Sequence, residues 1–183
     1  MLATRPDEVR ASWVFAYGSL IWNPDFEFRR AELAQLYGYH RAFCIRSTRY
    51  RGTPQRPGIV LGLDRGGVCV GLAYELDPTR REQALSRLFS REVPEWAERV
   101  YRPTEVRVRL ADGQRVLALA FVAERASRWY CRLSEAELLE TLRTCAGERG
   151  PNRDYVVNTW EALASRNVRD QRLGRLVRRL ESP

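Results

Sequence analysis

Residues Trp13-Val14-Phe15-Ala16-Tyr17 form an apolar run that stops at Gly18-Ser19 and resumes as Leu20-Ile21-Trp22. An uninterrupted apolar stretch bounded by a turn signal predicts a buried strand over Trp13–Tyr17, ending at the glycine. Ala42–Ser47 and Gly58–Leu63 read as further strands, separated by the turn-rich Arg51-Gly52-Thr53-Pro54. Asp64–Gly67 predicts another turn and Val68–Leu76 another strand. Asp77-Pro78 reads as a helix start, a capping acid followed by proline, with Leu85, Leu88 and Phe89 as the apolar face.

Glu105–Leu110 alternates Val106, Val108 and Leu110 with Arg107 and Arg109, the period of a half-buried strand. Asp112-Gly113 is a two-residue hairpin signal, and Arg115–Val122 supplies the return strand. The remainder reads as helical. Ser134 and Glu137 make a capping box before Leu138, Leu139, Leu142 and Cys145. Asn152 is expected to cap a helix carrying Tyr155, Val156 and Leu163, and Leu173, Leu176, Val177 and Leu180 mark a last amphipathic segment. Strands fill the first two thirds and helices the last, which predicts an α+β fold. Its many short strands favour a sheet curling into a small barrel with helices outside.

Composition narrows the chemistry. A chain of 183 residues reads as a single domain, able to bury roughly 70% of its unfolded surface. The longest apolar run, Val116–Ala123, is far short of a membrane span. With charges at Arg5, Asp7, Glu8 and Arg10 interrupting the N-terminus, no secretory signal is legible and a cytoplasmic protein is expected. Cys44, Cys69, Cys131 and Cys145 are scattered, with no C-x-x-C pair, and read as buried reduced thiols. His40 is the only histidine, so a multi-histidine metal site is excluded and a serine–histidine site would have to use that residue. Neither a phosphate loop nor a dinucleotide fingerprint occurs, and no cofactor is expected.

The net charge is +8, and every basic residue is arginine. A positive field attracts phosphate. The arginines nevertheless spread over the whole length among 23 acids, without a basic tail or a nucleic-acid-binding signature. A solvated surface is the preferred reading, and a non-catalytic arginine-rich nucleic-acid-binding module is the alternative from another class. The turn at Gly18-Ser19 offers a different kind of site. Consecutive amides in a tight turn form an anion-holding concavity, and glycine permits close backbone approach; an ordinary strand-ending turn is the plain alternative.

Eight ordered pieces of the chain together resemble the ChaC family of glutathione-specific γ-glutamylcyclotransferases. They are Val14–Trp22 with Pro24-Asp25-Phe26, His40-Arg41-x-Phe43, Arg51-Gly52-Thr53 with Pro57-Gly58, Gly71-x-Ala73-Tyr74, Arg91-Glu92, Tyr101-Arg102-Pro103, Gly147–Asn152, and Tyr155. The matches span about residues 12–176 of one domain over 1–183. The resemblance implies the cyclotransferase fold, a small mixed barrel with flanking helices. It also implies a reaction in which the γ-glutamyl amine attacks its own side-chain amide, releasing 5-oxoproline and, from glutathione, cysteinylglycine. Another γ-glutamyl amide is the alternative substrate. Two departures stand out. Ala16 occupies a usual glycine position, and Val93–Val100 is longer than the family's linker and brings Glu95 and Glu98 near the implied acid.

Such a reaction is intramolecular, and orientation alone can be worth about 7–11 kcal/mol of its barrier. It needs a base for the substrate ammonium. A solvated glutamate is weaker than an α-amine by roughly 3.5 pKa units, about 5 kcal/mol, so burial is expected to narrow the gap. The resemblance assigns that role, base and then acid, to Glu92, against the alternative that Glu92 only pairs with a neighbouring arginine at the surface. It places the substrate's α-carboxylate on the turn of Ala16, Tyr17, Gly18, Ser19, Leu20 and Ile21. Ser19 adds a hydroxyl there, and Leu20 and Ile21 supply walls. Tyr17, Tyr101 and Tyr155 are candidates for positioning the substrate or polarising its carbonyl, with buried structural tyrosines as the alternative. Arg51 is a candidate for the glycine-end carboxylate or a surface turn residue.

Overall fold

In the computed structural model, which describes residues 5–93 and 99–181, the first apolar run forms strand β1 (Trp13–Ala16), buried throughout. It lies antiparallel to β3 (Gly58–Leu76), with Ala16 opposite Leu72, and parallel to β5 (Arg115–Ala123). Strand β2 (Phe28–Ser47) pairs antiparallel with β4 (Tyr101–Leu110), and β4 continues antiparallel onto β5 from Tyr101 opposite Ala123 to Arg109 opposite Arg115. The order β1-β3-β2-β4-β5 closes into a barrel of mixed strand sense. With its helices this is the α+β barrel that the sequence predicts.

Several local expectations change. The turn predicted at Asp64–Gly67 is a bend inside the continuous β3. Gly66 (φ 99°) and Gly67 (φ 74°) adopt left-handed backbone that glycine alone takes without cost, so the strand changes direction without ending. Strand β2 starts at Phe28, well before Ala42, because between Phe28 and Arg41 only Ala34 and Leu36 are buried and the alternation is faint. Asp77 caps a turn, accepting from the Thr79 amide (2.8 Å) and hydroxyl (2.7 Å), and helix α1 begins later, at Arg81. The connection from β4 to β5 has four residues, Ala111-Asp112-Gly113-Gln114, rather than two. The Gly113 amide donates to Leu110 O (3.0 Å), and Gly113 at φ 90° turns the chain back.

The chain divides into two compact units, Met1–Ala42 with Gly62–Ser127, and Phe43–Leu61 with Arg128–Pro183. In the first, α1 (Arg81–Glu92) buries Ala84, Leu85, Leu88 and Phe89, and the Phe89 ring meets Phe121 of β5 edge-on at 5.7 Å. Among the described residues no helix is long and apolar enough to cross a membrane.

The second unit carries α2 (Glu135–Thr144), the short β6 (Ala146–Gly147) and β7 (Gly150–Pro151), α3 (Asn152–Ala164) and α4 (Gln171–Glu181). The Ser134–Glu137 capping box is present in both directions. Asn152 does not cap α3. It is fully buried, accepts from the Ile59 amide (2.7 Å) and donates to the Ile59 carbonyl (2.8 Å), satisfying both polar groups of a buried strand residue. All four cysteines are free thiols, and burial pushes Cys131 up from its ordinary pKa.

Candidate active site

The turn after β1 is a single 3-10 turn, Ser19–Ile21, made by Ile21 N donating to Gly18 O (2.9 Å) and Trp22 N to Ser19 O (3.2 Å). Asn23 N also donates to Ser19 O (2.8 Å). Such a turn consumes its later amides and leaves the earlier ones pointing outward. Among the described residues, the amides of Gly18, Ser19 and Leu20 find no acceptor.

Anchors from distant parts of the first unit hold the turn. Tyr17 is buried, and its hydroxyl donates to Phe121 O at 2.6 Å. The Tyr17 carbonyl accepts from Arg41 Nε (2.5 Å), while Arg41 Nη2 donates to Val70 O (2.7 Å) and so joins the turn to β3. Leu20 and Ile21 are buried, and their carbonyls receive the Tyr74 hydroxyl at 2.9 and 3.3 Å. Ala16 closes β1 with no exposure, against Gly71, where a Cβ would stand 2.2 Å from Ala16 O.

Glu92 ends α1, beside Arg91. Arg91 Nε lies 3.1 Å from Glu92 Oε1, and the two side chains are only 9% and 16% exposed. Glu92 does pair with its neighbouring arginine, and the pair is mostly buried. Arg91 continues to the turn, with Nη2 donating to Ser19 Oγ (3.0 Å) and Nη1 to Asn23 O (2.7 Å). One planar guanidinium thus faces the acid on one edge and the turn on the other.

The remaining candidates are carried by other elements or fall outside the described residues. Tyr101 is half-buried at the start of β4, opposite Ala123. Arg51 and Tyr155 belong to the second unit and meet each other, the guanidinium carbon 5.7 Å from the ring centroid. Arg51 is buried rather than a surface turn residue; it donates to Pro151 O (3.0 Å), and burial pulls it below its ordinary pKa. The buried Tyr155 hydroxyl accepts from the Leu61 amide (3.3 Å). Glu95 and Glu98 fall outside the described residues. Sequence reasoning assigned no role to Arg91, Arg41 or Tyr74. All three lie in the pieces that carry the family resemblance, which was the available signal. Among the described residues, no three His, Cys, Asp or Glu side chains group to hold a metal ion.

The model of the family described as ChaC-like protein matches residues 12–182. A curated glutathione-specific γ-glutamylcyclotransferase of Escherichia coli K12 is 37% identical over 177 residues, which cover 96% of this chain and 75% of that protein. The human glutathione-specific γ-glutamylcyclotransferase 1 is 30% identical over 177 residues, covering 92% and 78%. Among solved structures, a yeast γ-glutamyl cyclotransferase specific to glutathione superposes with a TM-score of 0.82 at 22% identity, over 92% of this chain and 94% of that one.

Proposed function

Because the chain belongs to the ChaC-like protein family, we propose that it is a γ-glutamylcyclotransferase that degrades glutathione to 5-oxoproline and cysteinylglycine, with Glu92 moving the protons. The observation that carries the residue assignment is the placement of Glu92 and the 3-10 turn on one guanidinium. In a γ-glutamyl substrate the α-carboxylate and the α-ammonium share one carbon. A turn that grips the carboxylate therefore needs its base a few atoms away, and Arg91 brings an acid there.

The α-carboxylate sits on the outward amides of Gly18, Ser19 and Leu20, with the Ser19 hydroxyl as a further donor. Leu20 and Ile21 are the apolar wall, and Tyr17 fixes the entry to the turn. Glu92 accepts a proton from the α-ammonium, and the freed amine attacks the γ-carbonyl carbon. A C–N bond closes the five-membered ring as the bond to the cysteinyl nitrogen breaks. Two protons leave the attacking nitrogen in all and both end on the departing amine, so Glu92 returns to its ionised form. No covalent intermediate with the protein is needed. Tyr101 contributes to positioning the rest of the substrate. Residues 1–183 act as one catalytic domain, in the cytoplasm, on a small-molecule substrate, with no cofactor and no nucleic-acid partner.

The test is incubation with glutathione and, separately, with γ-glutamyl dipeptides, followed by mass spectrometry. Equal amounts of 5-oxoproline and cysteinylglycine from glutathione are expected. Cyclisation of the dipeptides alone would move the substrate to another γ-glutamyl amide. No 5-oxoproline from any of them would overturn the reading.

A further inference from the structure

We infer that Arg91 is a positioning residue of this site: it turns the Ser19 hydroxyl into an outward donor and locks the turn to the helix end that carries Glu92. The inference rests on the cyclotransferase reading above and adds a residue to it. Arginine has donors only, whereas a serine hydroxyl has one proton and two lone pairs. At 3.0 Å from Arg91 Nη2, Ser19 Oγ must therefore be the acceptor, and its own proton points elsewhere. Among the described residues that proton has no acceptor. It remains for a ligand oxygen.

The same fork closes the turn. Asn23 N donates to Ser19 O, and Arg91 Nη1 donates to Asn23 O, so Arg91 holds both ends of a loop already bonded across itself. These contacts join residues 68 and 72 positions apart. Behind them the helix is fixed by Phe89 on Phe121, the residue whose carbonyl anchors the Tyr17 hydroxyl. Turn, β5 and α1 form a closed circuit through Tyr17, Phe121, Phe89 and Arg91. The Arg91 side chain is 9% exposed, so its directions are set by the protein rather than by solvent. Lysine could keep the charge near Glu92 but, as a single compact ammonium on a flexible stem, could not reproduce the planar fork.

The experiment compares kcat and KM for glutathione in the wild type, Arg91→Lys, Ser19→Ala and the double variant, after thermal melts establish that each is folded. Arg91→Lys should raise KM roughly tenfold, as expected for loss of a charge-assisted hydrogen bond, while kcat stays within about threefold. Ser19→Ala should raise KM by a similar factor in the wild-type background and less than about twofold beside Lys at position 91, because the two act through one contact. An unchanged KM in Arg91→Lys, or fully additive losses, would overturn the inference. Should the position 91 variant fail to fold, the Arg91 side-chain NMR signals of the wild type are followed during titration with 5-oxoproline. Signals that move with ligand support the role, and signals that stay fixed refute it. A wild type that makes no 5-oxoproline would instead refute the functional reading, so the two failures are distinguishable.

Discussion

Asn152→Asp should be far more destabilising than its position at the start of α3 suggests. Asparagine and aspartate are nearly equivalent as helix caps, and an acid there would also favour the helix dipole. The structure places Asn152 in a different role, fully buried with Oδ1 2.7 Å from the Ile59 amide and Nδ2 2.8 Å from the Ile59 carbonyl. Aspartate would keep the first bond, set an oxygen against the carbonyl oxygen, and bury a charge with no counter-ion contributed by Ile59. Asn152→Ala is the simpler case to quantify. It leaves two buried peptide groups unpaired at about 1–3 kcal/mol each, hence about 2–6 kcal/mol, against about 0.5–2 kcal/mol for a lost cap. At about 2–4 °C per kcal/mol for a chain of this size, the melting temperature should fall by about 4–24 °C. Thermal and urea unfolding by circular dichroism at neutral pH measures both variants. If the aspartate variant melts with the wild type, or the alanine variant loses about 1 kcal/mol or less, Asn152 is a cap and the bridging account is wrong.

Glu92→Gln keeps the shape of the side chain and removes its proton affinity, so turnover of glutathione should fall roughly a hundredfold or more with the melt preserved; near-normal turnover would take the acid–base role from Glu92. Gly71→Ala would set a Cβ 2.2 Å from Ala16 O and 2.9 Å from Phe15 Cζ. A backbone oxygen cannot swing aside, so β3 must move off β1 at a cost of about 1–3 kcal/mol, and KM should rise because Ala16 leads into the turn; an unchanged melt would show that the strands have slack. The Ser134 hydroxyl and amide hold the Glu137 carboxyl below its ordinary value of 4.5. That depressed value in the folded state gives stability that is present above pH 4.5 and is lost as pH falls through the folded value. The melting difference between wild type and Glu137→Gln should accordingly shrink on acidification below that value, and a difference independent of pH would contradict the capping assignment.

Elements whose signal is local were legible in the sequence. The Ser134–Glu137 box, the apolar face of α1 and the Asp112-Gly113 reversal each state their structure within a few residues. The long strands did not. Gly66 and Gly67 carry the same cue for a turn and for a bend within a strand, since both need positive φ, and only pairing with a neighbour decides between them. Phe28–Arg41 has few buried side chains, so its strand is specified by its partners more than by its own pattern. The site divides along the same line. The turn at Gly18-Ser19 declares itself as a break in an apolar run. Arg91 is one of 31 arginines, and nothing local distinguishes the one whose acceptors lie in a turn near the N-terminus. Asn152 shows the converse: a strong local signal for a cap was overridden by a buried strand with both polar groups to satisfy.

The arrangement also limits what Arg91 can do for the proposed reaction. Proton transfer carries a positive charge from the substrate ammonium onto the Glu92 carboxylate. Arg91 Nε already lies 3.1 Å from Glu92 Oε1, so the transfer moves that charge towards the guanidinium, and the cation opposes the step. Arg91 therefore does not close the proton mismatch. Its contribution is geometric, holding the turn and the helix end together through Ser19 and Asn23. What offsets the mismatch is the tethering of amine and carbonyl in one substrate: orientation worth about 7–11 kcal/mol exceeds a proton-transfer cost of about 5 kcal/mol. A chain with one histidine can then run the proposed chemistry on a single glutamate, provided that the turn and the acid stay in register.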